Sequence, residues 1–334
     1  MTVSIIDATL REGAQAPGVR FSSEDSVAIA EALVACGVEM IEVGHPSASQ
    51  LERARVSAVA ASGLGRPVLA HARARPADVE AVADCGADWV GIFLGVNEMT
   101  RRVRLGSTQE ASALLEMVDR AIARAKSLGL RVRYTVEDAS RTAVAQLLRA
   151  CARAIDAGAD RICFADSVGT LEPTEVASMV AHLRETFAAE AIEVHLHDDR
   201  GLALASALAA VDAGAGWISA SVNGVGERCG ITETCALIAN LHARGARALP
   251  PAGTLPRVAD LVDRATGIPR SRLAPVVGEH AFTHTAPLHI RAVERDEEAY
   301  SWLSPSRLGR QTRIASRATG LPNTDAAKER EPVS

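Results

Sequence analysis

The sequence predicts an α/β protein of the (β/α)8 class, a TIM barrel with a short C-terminal extension. Short apolar, β-branched runs recur eight times in the first 225 positions, and stretches of helical period lie between them. Four helices end in a glycine after which a strand begins at once, as in CGVEMIEVG and AGADRICFADSVG. This repeated join implies parallel strands with helical crossovers, and eight such strands close naturally into a barrel.

The order of elements follows from these runs. The predicted strands are Val3–Asp7, Val38–Val43, Val68–His71, Trp89–Leu94, Val132–Val136, Arg161–Ala165, Ile192–His197 and Trp217–Val222. Helix starts are marked by a capping sequence at Ser22 and by prolines at Pro76 and Pro173. An open, doubly wound sheet is the rival fold, but no Gly-x-Gly-x-x-Gly follows the first strand.

The alternation stops near residue 245, and the sequence after that point predicts a different organisation. We predict a catalytic barrel over residues 1–248 and a lid or dimerisation subdomain over residues 249–318. The prolines and the amphipathic stretch RVADLVDRATG mark the start of this subdomain. The polar residues 319–334 predict a disordered tail.

Composition excludes several classes of protein. Of the 334 residues, 48% are hydrophobic and 23% are charged, which argues against a disordered chain. A net charge of −5 argues against a protein whose main task is binding nucleic acid. No apolar run approaches the roughly 18 residues that span a bilayer, and the first residues do not resemble a signal peptide. We therefore expect a soluble, cytoplasmic protein.

Lysine and cysteine usage narrows the possible chemistry. Lys126 lies in a predicted helix and Lys328 in the polar tail, so neither is placed for imine chemistry inside a site. The six cysteines are scattered without a Cys-x-x-Cys pair, which favours reduced, buried thiols over disulfides. Cys229 is the exception, because it lies in a glycine-rich loop.

Two histidines at the end of strand 7 predict a metal site. His195 and His197 are two residues apart on a strand, so both imidazoles point to the same side. Completing the site needs a carboxylate, and either Asp7 or Glu12 at the end of strand 1 is available. One carboxylate with two imidazoles suits a catalytic divalent cation that keeps positions open for substrate oxygens. These ligands do not distinguish Mg, Mn, Co and Zn.

Basic residues at neighbouring strand ends predict an anionic substrate. Arg11 lies beside the metal ligands, and His71 and Arg133 come from nearby strands. An arginine binds a carboxylate through two parallel hydrogen bonds, so at least one of these side chains is expected to hold a substrate carboxylate. The alternative is that barrel arginines pair with barrel acids such as Glu137, and both interpretations stay open.

Three motifs in order resemble the metal-dependent Claisen-condensing barrel enzymes, the family of isopropylmalate, citramalate and homocitrate synthases and related lyases. They are DATLREGAQ after strand 1, HLHDDRGLALA at strand 7 and NGVGERCGIT after strand 8. The resemblance covers about residues 3–318. Further stretches such as RYTVEDASRT, FADSVGTLEP, GEHAFTHTAPLH and AYSWLSPSRLGR are most similar to the homocitrate synthase branch.

This resemblance implies roles for individual residues. The implied metal ligands are Glu12, His195 and His197. The residues implied to bind substrate are Arg11 and Ser167 at the keto-acid head group, His71, Arg133 and Thr135 at a distal carboxylate, and Gln15 in the pocket wall. The residues implied in catalysis are Arg11 and, for proton transfer, Glu137, His289 and Tyr300. Tyr300 is expected to reach a neighbouring subunit, which implies a homodimer.

The implied reaction joins acetyl-CoA to a 2-oxo dicarboxylic acid, with 2-oxoglutarate giving homocitrate as the leading expectation. Ala14, Gly91 and Asn223 differ from the residues expected in that branch, so phosphonopyruvate, oxaloacetate and 2-oxoisovalerate stay open as substrates. A lyase running the reverse cleavage is less favoured, because no proline follows Cys229-Gly. A non-catalytic metal-binding barrel is the alternative from another class. Arg228 could either pair with Glu227 or contact CoA.

Overall fold

The computed structural model describes residues 3–106 and 110–315, and its centre is a closed barrel of eight parallel strands. The strands are β1 Ser4–Asp7, β2 Met40–Glu42, β3 Val68–Arg73, β4 Trp89–Phe93, β5 Arg131–Val136, β6 Arg161–Asp166, β7 Ile192–Leu196 and β8 Trp217–Ala220. Each pairs with the next along the chain, and β8 pairs with β1 to close the ring. The TIM-barrel prediction is therefore confirmed, and the open sheet is excluded.

Helices follow the strands and cover the outside of the barrel. They are α1 Thr9–Glu12, α2 Ser23–Ala35, α3 Gln50–Ala61, α4 Pro76–Asp84, α5 Ala111–Ser127, α6 Val144–Asp156, α7 Pro173–Arg184, α8 Ala203–Asp212 and α9 Thr234–Ala243. Their buried faces consist mainly of Ala, Val, Leu and Ile, which suits a chain with only 3% aromatic residues. Helix α1 is a single turn that places the residues after β1 over the barrel mouth.

The local sequence signals explain where these helices begin and end. The Ser22 hydroxyl accepts a hydrogen bond from the Asp25 N–H at 2.9 Å, and the Ser22 N–H donates to the Asp25 carboxylate, so α2 opens with a capping box. Pro76 and Pro173 are the first residues of α4 and α7. After α2, Gly37 has a φ of 83°, a left-handed conformation that glycine adopts without strain and that ends the helix.

The eight predicted strands are all present, and their ends differ from the predictions by at most two residues. The largest functional difference is at β7, which ends at Leu196 rather than at His197. His197 instead forms an isolated bridge with Ile231 from the loop after β8. Ladder pairing stops there because the backbone turns to present side chains at the barrel mouth.

Large side chains close the amino end of the barrel interior. Ile6, Met40, Leu69 and Trp89 form a small buried cluster there, with Trp217 packed against it. The Arg161 guanidinium carbon lies 3.5 Å from the ring centroid of Trp217 and 4.6 Å from that of Trp89. This plug leaves the carboxyl end of the barrel as the place for a site.

The segment after the barrel adds small elements around its outside. Helix α10 (Thr254–Thr266) packs against α2, followed by α11 (Pro287–Val293) and a two-stranded sheet of β9 (Thr283–His284) and β10 (Arg313–Ile314). The boundary at residue 248 stays a prediction, and the predicted tail lies outside the described residues, as does Lys328. Among the described helices, none has the length and apolar character needed to cross a membrane.

Candidate metal centre and active site

A cavity of about 510 Å³ opens at the carboxyl ends of the barrel strands. Ten of the residues predicted from the sequence line it: Arg11, Glu12, Gln15, His71, Arg133, Thr135, Glu137, Ser167, His195 and His197. They come from the strands themselves or from the loops directly after them, as the barrel architecture requires. The remaining two predicted residues, His289 and Tyr300, are not among the described residues that line this cavity.

Glu12, His195 and His197 come together as a possible metal site. Their candidate ligand atoms all lie within 4.8 Å of one another. The Nε2 atom of His195 is 3.8 Å from a carboxylate oxygen of Glu12. The cluster forms because His195 of β7 and His197, just after the strand, lie close together, while the turn of α1 brings Glu12 across from β1.

Hydrogen bonds orient the two imidazoles for metal binding. The Gly230 carbonyl lies 3.1 Å from Nδ1 of His197 and can only accept, so Nδ1 carries the hydrogen and Nε2 is left with a lone pair. The Ser219 hydroxyl lies 2.9 Å from Nδ1 of His195. Burial lowers the pKa of His195 well below its ordinary value and also lowers the pKa of His197. Two neutral imidazoles and one carboxylate fit a catalytic divalent cation.

The other acids near the histidines have structural tasks. Asp7 is completely buried behind the cluster, where it accepts hydrogen bonds from the Thr9 N–H at 2.8 Å and the Thr234 hydroxyl at 2.6 Å. Burial raises the pKa of Asp7 to about 6. Asp198 accepts from the N–H of Ala203 at the start of α8. Of the two carboxylates that the sequence left open, only Glu12 is in the cluster.

The loop after β8 supports the cluster from one side. The Glu227 N–H donates to the Glu12 carboxylate at 3.2 Å. Arg228 donates to Asp199 at 2.8 Å and to the Ser167 carbonyl at 2.7 Å, so this arginine ties three loops together. Its distance to Glu227 is longer, at 3.4 Å. Arg228 thus forms the salt bridge with Glu227 that the sequence suggested, but its contact with Asp199 is shorter.

A buried carboxylate that the sequence analysis missed organises the bottom of the cavity. Glu42, the last residue of β2, is fully buried and contacts three basic side chains. Its carboxylate accepts from Arg11 Nε at 2.8 Å and from Arg133 Nη1 at 2.9 Å, and it lies 2.8 Å from His71 Nε2. Burial alone would raise the pKa of Glu42, but Arg11, Arg133 and His71 lower it well below its ordinary value.

A second missed carboxylate, Glu193 on β7, extends this network toward the plug. Glu193 accepts from Arg133 at 2.8 Å and from Arg161 at 3.3 Å. We call this whole set the charged floor: Arg11, Glu42, His71, Arg133, Arg161 and Glu193. Burial lowers the pKa of His71 to about 3, so His71 is neutral at pH 7. Three arginines therefore face two glutamates, and the charged floor carries one net positive charge.

The charged floor shows which acids pair with Arg133. This side chain is 2% exposed, and its two terminal nitrogens already contact Glu42, Glu193 and His71. Barrel arginines do pair with barrel acids, but the partners are not Glu137. The two-residue period of a strand could have revealed Glu193 in the sequence, because Glu193 lies two residues before His195 and therefore on the same side of β7. Glu42 stands alone in an apolar run and offers only its position at a strand end.

At the upper rim, Glu137 follows β5 and forms an ion pair with Arg104. The next residue, Asp138, has a φ of 56°, and its carboxylate accepts from Asn97 at 2.7 Å and from Arg141 at 2.7 Å. Its backbone N–H donates to the Ser167 hydroxyl at 2.9 Å. These contacts fix the turn that presents Glu137 to the cavity.

The two remaining predicted residues lie together in the C-terminal segment. The rings of His289 and Tyr300 are stacked with centroids 4.0 Å apart, and His284 lies edge-on at 6.4 Å from His289. Tyr300 is 47% exposed. The structure therefore brings these residues to each other but not to the cavity of the same chain.

Lys126 lies away from the cavity, whereas one of the cysteines, Cys163, lines it. Lys126 is on the outer helix α5 and pairs with Asp160 at 3.1 Å. Five of the six cysteines are buried and free, and Cys229 is exposed in the loop after β8, as expected. Neither imine chemistry nor a disulfide framework has support among the described residues.

Fold and site together define a class: a (β/α)8 barrel with a possible divalent-metal centre at the carboxyl end of its strands. The HMGL-like family model matches residues 2–262, and the model described as homocitrate synthase post-HMGL domain-like matches residues 276–330. The chain therefore belongs to the HMGL-like family of enzymes and is similar to homocitrate synthases.

Individual relatives agree with this assignment. A homocitrate synthase of Pyrococcus abyssi is 40% identical over 93% of this chain and 85% of its own length. A homocitrate synthase of Sulfurisphaera tokodaii is 38% identical over 93% of this chain and 68% of its own length.

Solved structures confirm the fold. The HMG-CoA lyase of Bacillus subtilis superposes with a TM-score of 0.70 at 21% identity, covering 80% of this chain and 95% of the lyase. The HMG-CoA lyase of Brucella melitensis gives a TM-score of 0.71 at 20% identity, covering 80% and 99%.

Proposed function

We propose that this protein is an acyltransferase that joins acetyl-CoA to a 2-oxo dicarboxylic acid by Claisen condensation. 2-Oxoglutarate, which would give homocitrate, is the first substrate to test. The observation that carries the proposal is one cavity that combines a cluster of metal ligands with a buried floor of net positive charge. The similarity to proteins named homocitrate synthase supports the same substrate.

The head group of the 2-oxo acid is assigned to the wall that carries Glu12, His195 and His197. A divalent cation held by these residues would polarise the ketone as a Lewis acid. Arg11 is paired with both Glu12 and Glu42, so its guanidinium is fixed before substrate binds. A fixed cation beside the ketone stabilises the negative charge that develops on its oxygen. Ser167 and Gln15 line the same cavity and would contact the head group.

The distal carboxylate is assigned to His71, Arg133 and Thr135. The charged floor contributes one net positive charge, and a dication bound beside Glu12 would contribute one more. A 2-oxo dicarboxylate carries two negative charges, which would balance these two positive charges. The balance matters because burying a charge without a partner is costly. A monocarboxylate such as 2-oxoisovalerate would leave one of the two uncompensated. The charge balance therefore favours a dianionic substrate.

Proton transfer is assigned to Glu137, His289 and Tyr300. His289 would take a proton from the methyl group of acetyl-CoA, aided by Glu137 and Tyr300. The resulting enol attacks the ketone carbon and forms the new carbon–carbon bond, and water then hydrolyses the thioester and releases CoA. Glu137 lines the cavity of its own chain. His289 and Tyr300 would come from a second copy of the chain.

Exposed apolar side chains support a homodimer of this kind. Leu288 and Trp302, which flank His289 and Tyr300 in sequence, are 64% and 57% exposed. Near the cavity, Met99 is 44% exposed and lines the mouth. Large exposed apolar groups of this kind mark interaction surfaces. If the C-terminal segment docked on the cavity mouth of a second barrel, it would cover Leu288 and Trp302 of its own chain and Met99 of the other chain.

Release of free CoA thiol tests the proposed reaction. Purified protein with acetyl-CoA and a divalent metal is assayed against 2-oxoglutarate, oxaloacetate, pyruvate, 2-oxoisovalerate and phosphonopyruvate. We expect the fastest release with a dicarboxylate. No release with any of the five acids would contradict the proposal. Cleavage of hydroxymethylglutaryl-CoA in its place would favour the lyase.

Mixed dimers test the shared site. Tyr300→Phe and Glu12→Gln chains, each nearly inactive alone, are co-expressed with different tags and purified as the mixed species. One site in such a dimer has both residues intact, so about half of the parent activity should return. Activity that stays at the level of the single variants, or a parent protein that is active as a monomer, would contradict a site shared between subunits.

A further inference from the structure

The charged floor depends on a glycine in the middle of β4. In the barrel register, Gly91 lies directly between His71 on β3 and Arg133 on β5. Neighbouring strands are about 4.8 Å apart, so the backbones that carry His71 and Arg133 are separated by roughly twice that distance. Even so, Nη2 of Arg133 lies 2.7 Å from Nε2 of His71. The two side chains meet across β4, over the position where residue 91 has no side chain.

The space above Gly91 is fully used by these neighbours. A Cβ atom at this position would lie 2.8 Å from Nη2 of Arg133 and 2.9 Å from both Cδ2 of His71 and Cδ2 of Leu69. The three atoms in conflict are ends of side chains rather than backbone. A methyl group would therefore displace side chains and leave the barrel ladder intact.

The displaced side chains have one direction open to them. Toward the amino end of the barrel, Glu42 and Glu193 hold Arg133, and the plug of Met40, Leu69 and Trp89 fills the interior. Close-packed interiors do not absorb a methyl group. The cavity, which His71 and Arg133 already line, is the nearest free volume. A side chain at position 91 would thus push the charged floor upward.

We propose that Gly91 is a specificity-determining residue that sets the depth of the subsite for the tail of the 2-oxo acid. The proposal rests on the proposed function, since it concerns the substrate of that site. Because Gly91 lets Arg133 and His71 meet across β4, the charged floor lies one methyl group deeper than it otherwise would. This depth favours a five-carbon dicarboxylate over a four-carbon one.

The test is the selectivity of Gly91→Ala between 2-oxoglutarate and oxaloacetate, measured as the ratio of their kcat/KM values in the CoA-release assay. The two acids carry the same charge and differ by one methylene, so the ratio reports depth. One methylene in a pocket changes kcat/KM by about 10–200-fold. We expect the ratio to shift toward oxaloacetate by at least about tenfold.

Two further variants distinguish a change in the depth of the pocket from damage to the fold. Ile92→Val changes the next residue of β4, whose side chain packs in the outer core, and should leave the ratio unchanged. In Leu69→Ala/Gly91→Ala the new methyl group no longer meets the leucine, so this variant folds more easily. Because the shorter residue 69 also opens space in the plug, the ratio should shift in the same direction as in Gly91→Ala but by less. Metal content and thermal unfolding confirm that each variant has an intact barrel.

The outcomes distinguish the two proposals. A ratio in Gly91→Ala that stays within about twofold of the parent, while this variant still releases CoA, would overturn the role of Gly91 and leave the proposed function standing. A parent protein that condenses neither acid would overturn the proposed function and the specificity argument built on it.

Discussion

The metal cluster and the charged floor lie in one barrel interior, but their polar groups are satisfied in different ways. In the charged floor, Glu42 is surrounded by Arg11, Arg133 and His71, so this buried acid has its basic partners within the chain. In the metal cluster, two neutral imidazoles and a carboxylate turn their acceptor atoms toward one another. Acceptors that face each other are stabilised by a cation. The charged floor therefore pairs its acids within the chain and keeps one net positive charge, whereas the metal cluster needs an added cation.

This difference also determines which of the two groups of residues can be predicted from the sequence. Two histidines at strand spacing form a recognisable pattern, so His195 and His197 could be predicted as ligands. A glutamate in an apolar strand looks like any other residue, and Glu42 was not found.

Removing the charge at the centre of the charged floor should cost the most stability. In Glu42→Gln, the buried Arg133 and the partly buried Arg11 both lose a counter-charge. Breaking a buried ion pair on one side costs about 3–5 kcal/mol. Urea unfolding at pH 7 should show a loss of that size in the free energy of unfolding. The exposed Glu185→Gln serves as the control, and an equal change in both variants would refute the network.

The rim residue Glu137 should affect catalysis rather than folding. In Glu137→Gln the side chain keeps its size but can no longer exchange a proton. General acid–base catalysis contributes about 10²–10⁴-fold, and a group shared with His289 and Tyr300 should lie near the lower limit. We expect kcat to fall about 100-fold, equivalent to about 2.7 kcal/mol, with KM changed little. If the variant kept the kcat of the parent, Glu137 would have no role in proton transfer.

Asp7 contrasts with Glu42 because it is a buried acid that has no basic partner among the described residues. Burial raises its pKa from 3.8 to about 6, opposite to the direction at Glu42. Between these pH values the folded state binds a proton that the unfolded state has lost, so this contribution to stability falls as pH rises from about 4 to about 6. One pKa unit corresponds to about 1.4 kcal/mol, giving about 2–3 kcal/mol in total.

The variant Asp7→Asn does not titrate and isolates this contribution. The free energy of unfolding is measured for parent and variant from pH 3.5 to pH 7.5. The parent should lose stability relative to the variant as pH rises, and the difference should level off above pH 7. Parallel curves for the two proteins would mean that Asp7 has an ordinary pKa in the folded state.

The ion pair at the rim should contribute least. Arg104 pairs with Glu137 as Arg133 pairs with Glu42, but Arg104 is 48% exposed. Exposed pairs contribute about 0–1 kcal/mol because water screens them. Arg104→Ala should therefore change the free energy of unfolding by less than about 1 kcal/mol. A loss comparable to that of Glu42→Gln would erase the distinction between rim and floor.

The sequence predicted the barrel because strand and helix periods are local properties. All eight strands and the helix starts at Ser22, Pro76 and Pro173 could be read from patterns within a few residues. Functional positions that depend on distant partners were harder. Strand and helix periods alone did not decide between Asp7, which ends β1, and Glu12, which follows it, because only the turn of α1 determines which of them reaches the histidines.

The partners of Arg133 show the same limit. Glu42 lies 91 positions away in sequence and Glu193 lies 60 positions away, so nothing local connects them. His289 and Tyr300 were assigned by resemblance, and the structure brings them together outside the cavity of their own chain. Their role depends on a second copy, which the pattern of a single chain does not contain.

Metal content and CoA release, measured on the same protein samples, test whether Glu12, His195 and His197 hold a catalytic metal ion. The account predicts about one divalent metal ion per chain in the parent protein, and loss of both metal and CoA release in Glu12→Gln, His195→Ala and His197→Ala. His182→Ala, which removes an exposed histidine of α7, should keep both. If the three variants retained metal, or released CoA from acetyl-CoA and a 2-oxo acid at the parent rate, the account would be contradicted.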